Sequence, residues 1–267
     1  MLTLLFALLA VVLYCVAALR QMLSLSRRLP VRAAPVRAAG TLAVAGHALV
    51  TWTAISATGG IHLGFTEMAS LVFCLIAALL LGVSLVRPVL PAAVGLFPLA
   101  ALSIVGVIGL PEPGIDYGLT PGILIHVATS VLAYAILIIA AGQAVLVAVQ
   151  TNALKHNRIR GVIQVLPPLT AMERLMFDMI LYGMAFLTAS ILSGFIFLDD
   201  PFAEQMAHKS ILSLIAWVLF SMLLWGRHQR GWRGPWAVRW TLGAVIVLIL
   251  AWFGTRLVLQ LSYGQAV

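Results

Sequence analysis

The chain has 267 residues, 63% hydrophobic and only 9% charged, with a mean hydropathy of +1.10. A water-soluble domain keeps about a quarter of its residues charged, so the composition excludes one and describes an integral membrane protein. The net charge of +8 invites a nucleic-acid reading, which the placement of the basic residues removes.

A spanning helix needs about 20 apolar residues, and continuous rather than alternating runs mean helices, not a barrel. Eight spans are predicted, near 2–19, 38–59, 65–85, 89–110, 121–150, 176–198, 210–226 and 240–262. The fold class is therefore all-α, a polytopic transmembrane bundle read as one membrane domain over 1–267. The first run has no basic region before it and Arg20 after it. It reads as a retained helix with its N-terminus outside, not a cleaved signal.

Span two carries His47 near its middle, with Thr51 one turn along. Cys15 in span one and Cys74 in span three are far apart and form no CxxC, so both read as small buried hydrophobes. Span three opens near His62 and Glu67. Span five, "TPGILIHVATSVLAYAILIIA", is long enough to tilt or to leave the bilayer. It carries His126, and Ser130 and Tyr134 follow at helical spacing on the same face. Pro167 and Pro168 end an interfacial turn before span six, whose inner end holds Asp178. Span seven begins at His208, and Arg256 lies in the outer part of span eight. His156 and His228 read as solvated loop residues. Trp225, Trp232, Trp236 and Trp240 gather at one interface, where an aromatic belt is expected.

Fourteen of the sixteen basic residues fall in four connections, around Arg20–Arg37, Arg87, Lys155–Arg174 and Arg227–Arg239. The alternating connections carry Glu112 and Asp116, then Asp199, Asp200 and Glu204 with a single Lys209. Basic loops stay in the cytoplasm, which puts both termini and the loops 111–120 and 199–209 outside. The charge is a topology signal, and no nucleic-acid partner is expected.

Ionisable groups at membrane depth face the bundle interior or a cavity. By depth, His62, His126, His208 and Arg256 converge on the outer side. Imidazole ligates haem iron and arginine pairs with a propionate, so an outward-facing cofactor site is one reading. The other is that each histidine is satisfied by an interhelical hydrogen bond and binds nothing. There is no HExxH, GxSxG or Walker-type loop, and no catalytic chemistry by the protein itself is expected. The lack of mid-membrane carboxylates weighs against a third reading, a small-molecule transporter.

The blocks "GILIHVATSVLAYAILIIAA", "LPPLTAMERLMFDMILYGMAFLTASILSG" and "KSILSLIAWVLFSMLLWGRHQRGWRG" occur in that order. Together they resemble the cytochrome c assembly family, the CcsA, CcmC and HemX relatives, and within it the short branch of YpjD-type inner-membrane proteins. The similarity covers roughly 120–264. It implies a multi-pass protein of the bacterial inner membrane that binds or handles haem on the outer face during c-type cytochrome biogenesis. The alternative is a haem-free partner subunit that keeps the fold and has lost haem export. The implied partners are haem, membrane lipid and other cytochrome c maturation or inner-membrane proteins.

The resemblance sets His126 on the first external histidine, a haem-iron ligand in the haem-exporting members. The loop "FLDDPFAEQMAHK" takes the place of their tryptophan-rich loop, and Lys209 matches its terminal lysine. This loop contains no tryptophan, and Leu261 stands where a second external histidine precedes "SYG". His228 is at best an offset counterpart of the membrane histidine that ends span seven. The candidate haem contacts are thus His126, with His208 or His62 opposite it or else a five-coordinate iron, Arg256 on a propionate, and Ser130 and Tyr134 along the cavity wall.

Reporter fusions after Arg37, Arg87, Arg160 and Arg233 should read cytoplasmic, and fusions near Asp116 and Asp200 external. A cytoplasmic signal around Asp200 would overturn the orientation.

Overall fold

The computed structural model describes residues 2–56, 63–110, 120–156, 164–198 and 207–254. The eight expected spans appear as helices: α1 Leu2–Leu25, α2 Ala33–Ile55, α3 Phe65–Ser84, α4 Ala93–Gly109, α5 Pro121–Lys155, α6 Leu169–Phe197, α7 Ala207–Arg230 and α8 Pro235–Ile249. A 3-10 turn, Leu90–Ala92, leads into α4, and α8 widens into a π turn over Leu250–Gly254. No strand occurs among the described residues. The helices overrun the predicted spans where the chain turns basic. Arg20, Arg37, Arg174, Arg227 and Arg239 all lie within helices rather than in connections. Apolar content locates the lipid-crossing stretch, whereas the helix continues as long as backbone hydrogen bonding does. At 35 residues, α5 is about 52 Å long, well beyond a hydrocarbon core of about 30 Å.

The chain divides into two compact units, 1–118 with 145–175 and 119–144 with 176–267. In the first, α1 packs on α2 and α4, and α3 packs on α2 and α4. Small residues permit the approach. A Cβ on Gly40 would lie 3.0 Å from Leu81 Cδ2 and 3.1 Å from Phe97 Cζ. One on Gly46 would lie 3.3 Å from Ala10 Cβ. Such seams replace the hydrophobic driving force that lipid does not supply. Arg37 ties the start of α2 to the end of α3, donating from Nε to Ser84 Oγ at 3.1 Å and from Nη2 to the Ser84 carbonyl.

The polar residues of this unit close on one another. His47 is wholly buried. Its Nδ1 lies 3.3 Å from Tyr14 Oη and its Nε2 3.0 Å from Ser70 Oγ, which is 2.7 Å from Thr51 Oγ1. With Tyr14 donating to Nδ1 and Nε2–H donating to Ser70, each group has a partner of the right kind. The expected interhelical role of His47 is what the structure shows. One sequence expectation changes. Cys15 is exposed on α1 while Cys74 is buried. Glu67, at the opening of α3 as expected, is also buried there, and Thr66 Oγ1 donates to it at 3.2 Å.

Replacing His47 with Ala should lower stability by about 1–2 kcal/mol, since it strands Tyr14 and Ser70 without their shared partner. Thermal unfolding in detergent of His47→Ala, Ser70→Ala and the double variant checks this. Full additivity would show that the three groups do not act together.

Candidate functional site

The second unit answers why an almost pure hydrocarbon helix carries an imidazole and two hydroxyls. The first half of α5 runs antiparallel to α6 in a fixed register. Gly122 meets Phe197, His126 meets Gly194, Ser130 meets Ser190 and Leu137 meets Gly183. The α6 side of this seam is small wherever α5 is large. A Cβ at Gly183 would sit 2.6 Å from Leu137 Cγ, and one at Gly194 would sit 3.0 Å from His126 Cε1.

His126 fills the notch at Gly194 and is half-buried. Its Nδ1 lies 2.9 Å from the Ser190 carbonyl oxygen. A carbonyl only accepts, so Nδ1 carries the proton and the neutral ring presents Nε2 as a lone pair. The Ser190 carbonyl also accepts from Ser193 Oγ at 2.9 Å. Ser130 Oγ donates to the His126 carbonyl at 2.6 Å and lies 2.6 Å from Ser190 Oγ, which must therefore be the donor between the two serines. The ring is thus held by the Ser190 main chain, and the Ser130–Ser190 hydroxyl pair bridges the two helices one turn away.

Tyr134 departs from this face. It is buried, and its hydroxyl donates to the Leu248 carbonyl of α8 at 2.7 Å. Residues spaced by four advance about 40° around a helix at each step, so Tyr134 has turned about 80° away from His126. The face expected to line a cavity is half-buried against α6 at His126 and Ser130, and buried against α8 at Tyr134.

The remaining expected groups are less gathered. His208 is exposed at the second residue of α7. Lys209 Nζ stands 4.6 Å from the centre of the Trp252 ring in the π turn. His62, Arg256 and Leu261 lie outside the described residues. His156, expected in a loop, is exposed just beyond α5, while exposed His228 is part of the last turn of α7. Sequence reasoning missed Ser190, Ser193, Gly194 and Gly183. Their signal was present as small residues on α6 at seven- and four-residue intervals, the spacing of a helix–helix seam. It also passed over Glu173, which is buried near the start of α6.

A family model described as cytochrome C assembly protein matches residues 35–262. The inner membrane protein YpjD of Escherichia coli strain K12 is 37% identical over 142 residues, 53% of this chain and 54% of the relative. An uncharacterized 28.8 kDa protein of Azospirillum brasilense, from a nifR3-like 5' region, is 32% identical over 158 residues, 58% of each chain. The chain thus spans little more than half the length of the curated relatives it matches. No solved structure matches it.

The seam makes its own prediction. Gly183→Ala should destabilise by about 1–3 kcal/mol through overpacking against Leu137. Leu137→Ala added to it should restore part of the loss if the two sites interact, whereas additive losses on thermal unfolding would refute the contact.

Proposed function

This chain belongs to the cytochrome c assembly protein family, and from that premise we propose that it binds or handles haem at the outer face of a bacterial inner membrane. The observation that carries the reading is the hydrogen bond from His126 Nδ1 to the Ser190 carbonyl. Histidines that ligate metals almost always donate their other ring N–H to a carbonyl or carboxylate, which fixes the tautomer and orients the ring. His126 meets that requirement before any ligand arrives, with Nε2 as the ligating atom.

Haem, if bound, would supply an iron able to take an imidazole nitrogen as ligand. Ser190 holds the Nδ1 proton, Gly194 leaves room for the ring, and Ser130 fixes the main chain of α5 at the carbonyl of His126. His208, exposed at the start of α7, would offer a second imidazole to the iron. The protein itself makes and breaks no covalent bond in this reading. It presents the cofactor to other inner-membrane components of c-type cytochrome biogenesis, the process that the family's description names. The close packing of α6 over Ser130 favours a second reading, a haem-free accessory subunit that keeps the fold.

One spectrum separates the two. Haem titrated into the purified protein should give a Soret band that His126→Ala abolishes, His208→Ala shifts and His156→Ala leaves unchanged. A wild-type protein that takes up no haem under conditions that load other family members would establish the accessory reading.

A further inference from the structure

The turn between α7 and α8 holds an unusual density of two residue types. The sixteen residues from Trp225 to Trp240 contain four Trp and four Arg, and no acidic residue follows Glu204 in the chain. The turn is firmly built. Gly231 and Gly234 take positive φ angles of 65° and 59°, a region that glycine enters without strain. They bring Trp232 back onto Gly226, where a Cβ would run into the indole. Trp232 then packs on Trp236 and Trp240, with ring centres 6.4 and 5.5 Å apart. Arg227 is used internally, its Nη1 donating to the Trp232 carbonyl at 3.4 Å and its guanidinium 4.6 Å from the Phe177 ring.

Other groups point outward. The Arg230 guanidinium lies 5.1 Å from the Trp225 ring. Trp225 is 53% exposed and Trp236 61% exposed, and Arg230 and Arg239 are exposed as well. Trp225 also ends a continuous exposed stripe on α7, formed by Ile211, Ile215, Val218, Met222 and Trp225 at alternating four- and three-residue intervals. That stripe borders a shallow apolar groove of about 290 Å³ lined by Ile211, Leu214, Ile215, Val218 and Leu219. From Trp225 to Ile215 is ten residues, about 15 Å of helix, and one leaflet of hydrocarbon is half of about 30 Å.

We infer that this face of α7 and the α7–α8 turn form a binding site for one anionic phospholipid. The headgroup phosphate pairs with Arg230, stacked on Trp225, while one acyl chain lies along the exposed stripe from Met222 past Val218 to Ile215. Charge and depth select this occupant together. A soluble anion matches Arg230 and not the groove, and a zwitterionic lipid matches the groove and leaves the exposed Arg230 with no net anionic partner. The site is independent of the haem reading.

The test uses the full chain in nanodiscs. Tryptophan fluorescence should be quenched at a several-fold lower mole fraction of brominated phosphatidylglycerol than of brominated phosphatidylcholine. Arg230→Gln should bring the two lipids close to parity, and Arg230→Lys should keep an intermediate preference, having charge without the planar stack. Arg87→Gln, at an exposed arginine in the first unit, should leave the preference intact. Native mass spectrometry reads the acyl half. The wild type should retain an anionic lipid through detergent exchange, and Val218→Trp should lower the lipid-bearing fraction several-fold. Equal quenching by the two lipids, an undiminished preference in Arg230→Gln, or a wild type that retains no anionic lipid would overturn the assignment.

Discussion

Inside hydrocarbon a polar side chain has no water to turn to, and the hydrogen bond from His126 to the Ser190 carbonyl shows what this forces. The partner must come from another helix, and that helix must come close. Closeness in turn demands that α6 be small opposite α5, which Gly183, Ser190 and Gly194 provide. One imidazole therefore accounts for the register of two helices, for the small residues along their seam, and for its own tautomer. A carbonyl acceptor admits only the Nδ1–H form of the neutral ring, so the geometry that satisfies the side chain also exposes its lone pair.

The two membrane histidines illustrate opposite outcomes of that constraint. His47 has both ring nitrogens occupied, by Tyr14 and Ser70, and the chain of contacts ends at Thr51 without reaching the surface. Its network is closed, and a closed network specifies helix packing without offering an atom to a ligand. His126 has one nitrogen occupied by main chain and is half-buried. Equal residue types at membrane depth thus carry different potential, decided by how many ring nitrogens the neighbouring helices consume.

Composition made the spans legible because lipid solvation acts on every residue of a helix, so eight apolar runs became eight helices. Helix ends were less legible, because Arg20, Arg37, Arg174 and Arg239 lie in continuing helix whose long side chains carry the charge away from the apolar stretch. The role of His47 could be read from its depth alone. Cys15 could not, since helix periodicity in an all-apolar run does not say which face meets lipid. The candidate face was read as a straight line of residues spaced by four, which holds for His126 and Ser130 and fails by Tyr134. The acceptor on His126 was illegible in principle. It is a main-chain carbonyl, and no residue type announces it.

The divergence of Tyr134 reaches beyond α5. Its hydroxyl enters the ladder of α8 at the Leu248 carbonyl, two residues before the helix widens into a π turn. π turns gather at functional sites. Trp252 belongs to that widened turn, and its ring is the one that Lys209 of α7 meets. The polar residues of α5 therefore divide their work. His126 and Ser130 bond α6, while Tyr134 bonds α8 near its end. A helix that looked like hydrocarbon with a few stray polar groups uses those groups to bond two neighbours, α6 and α8.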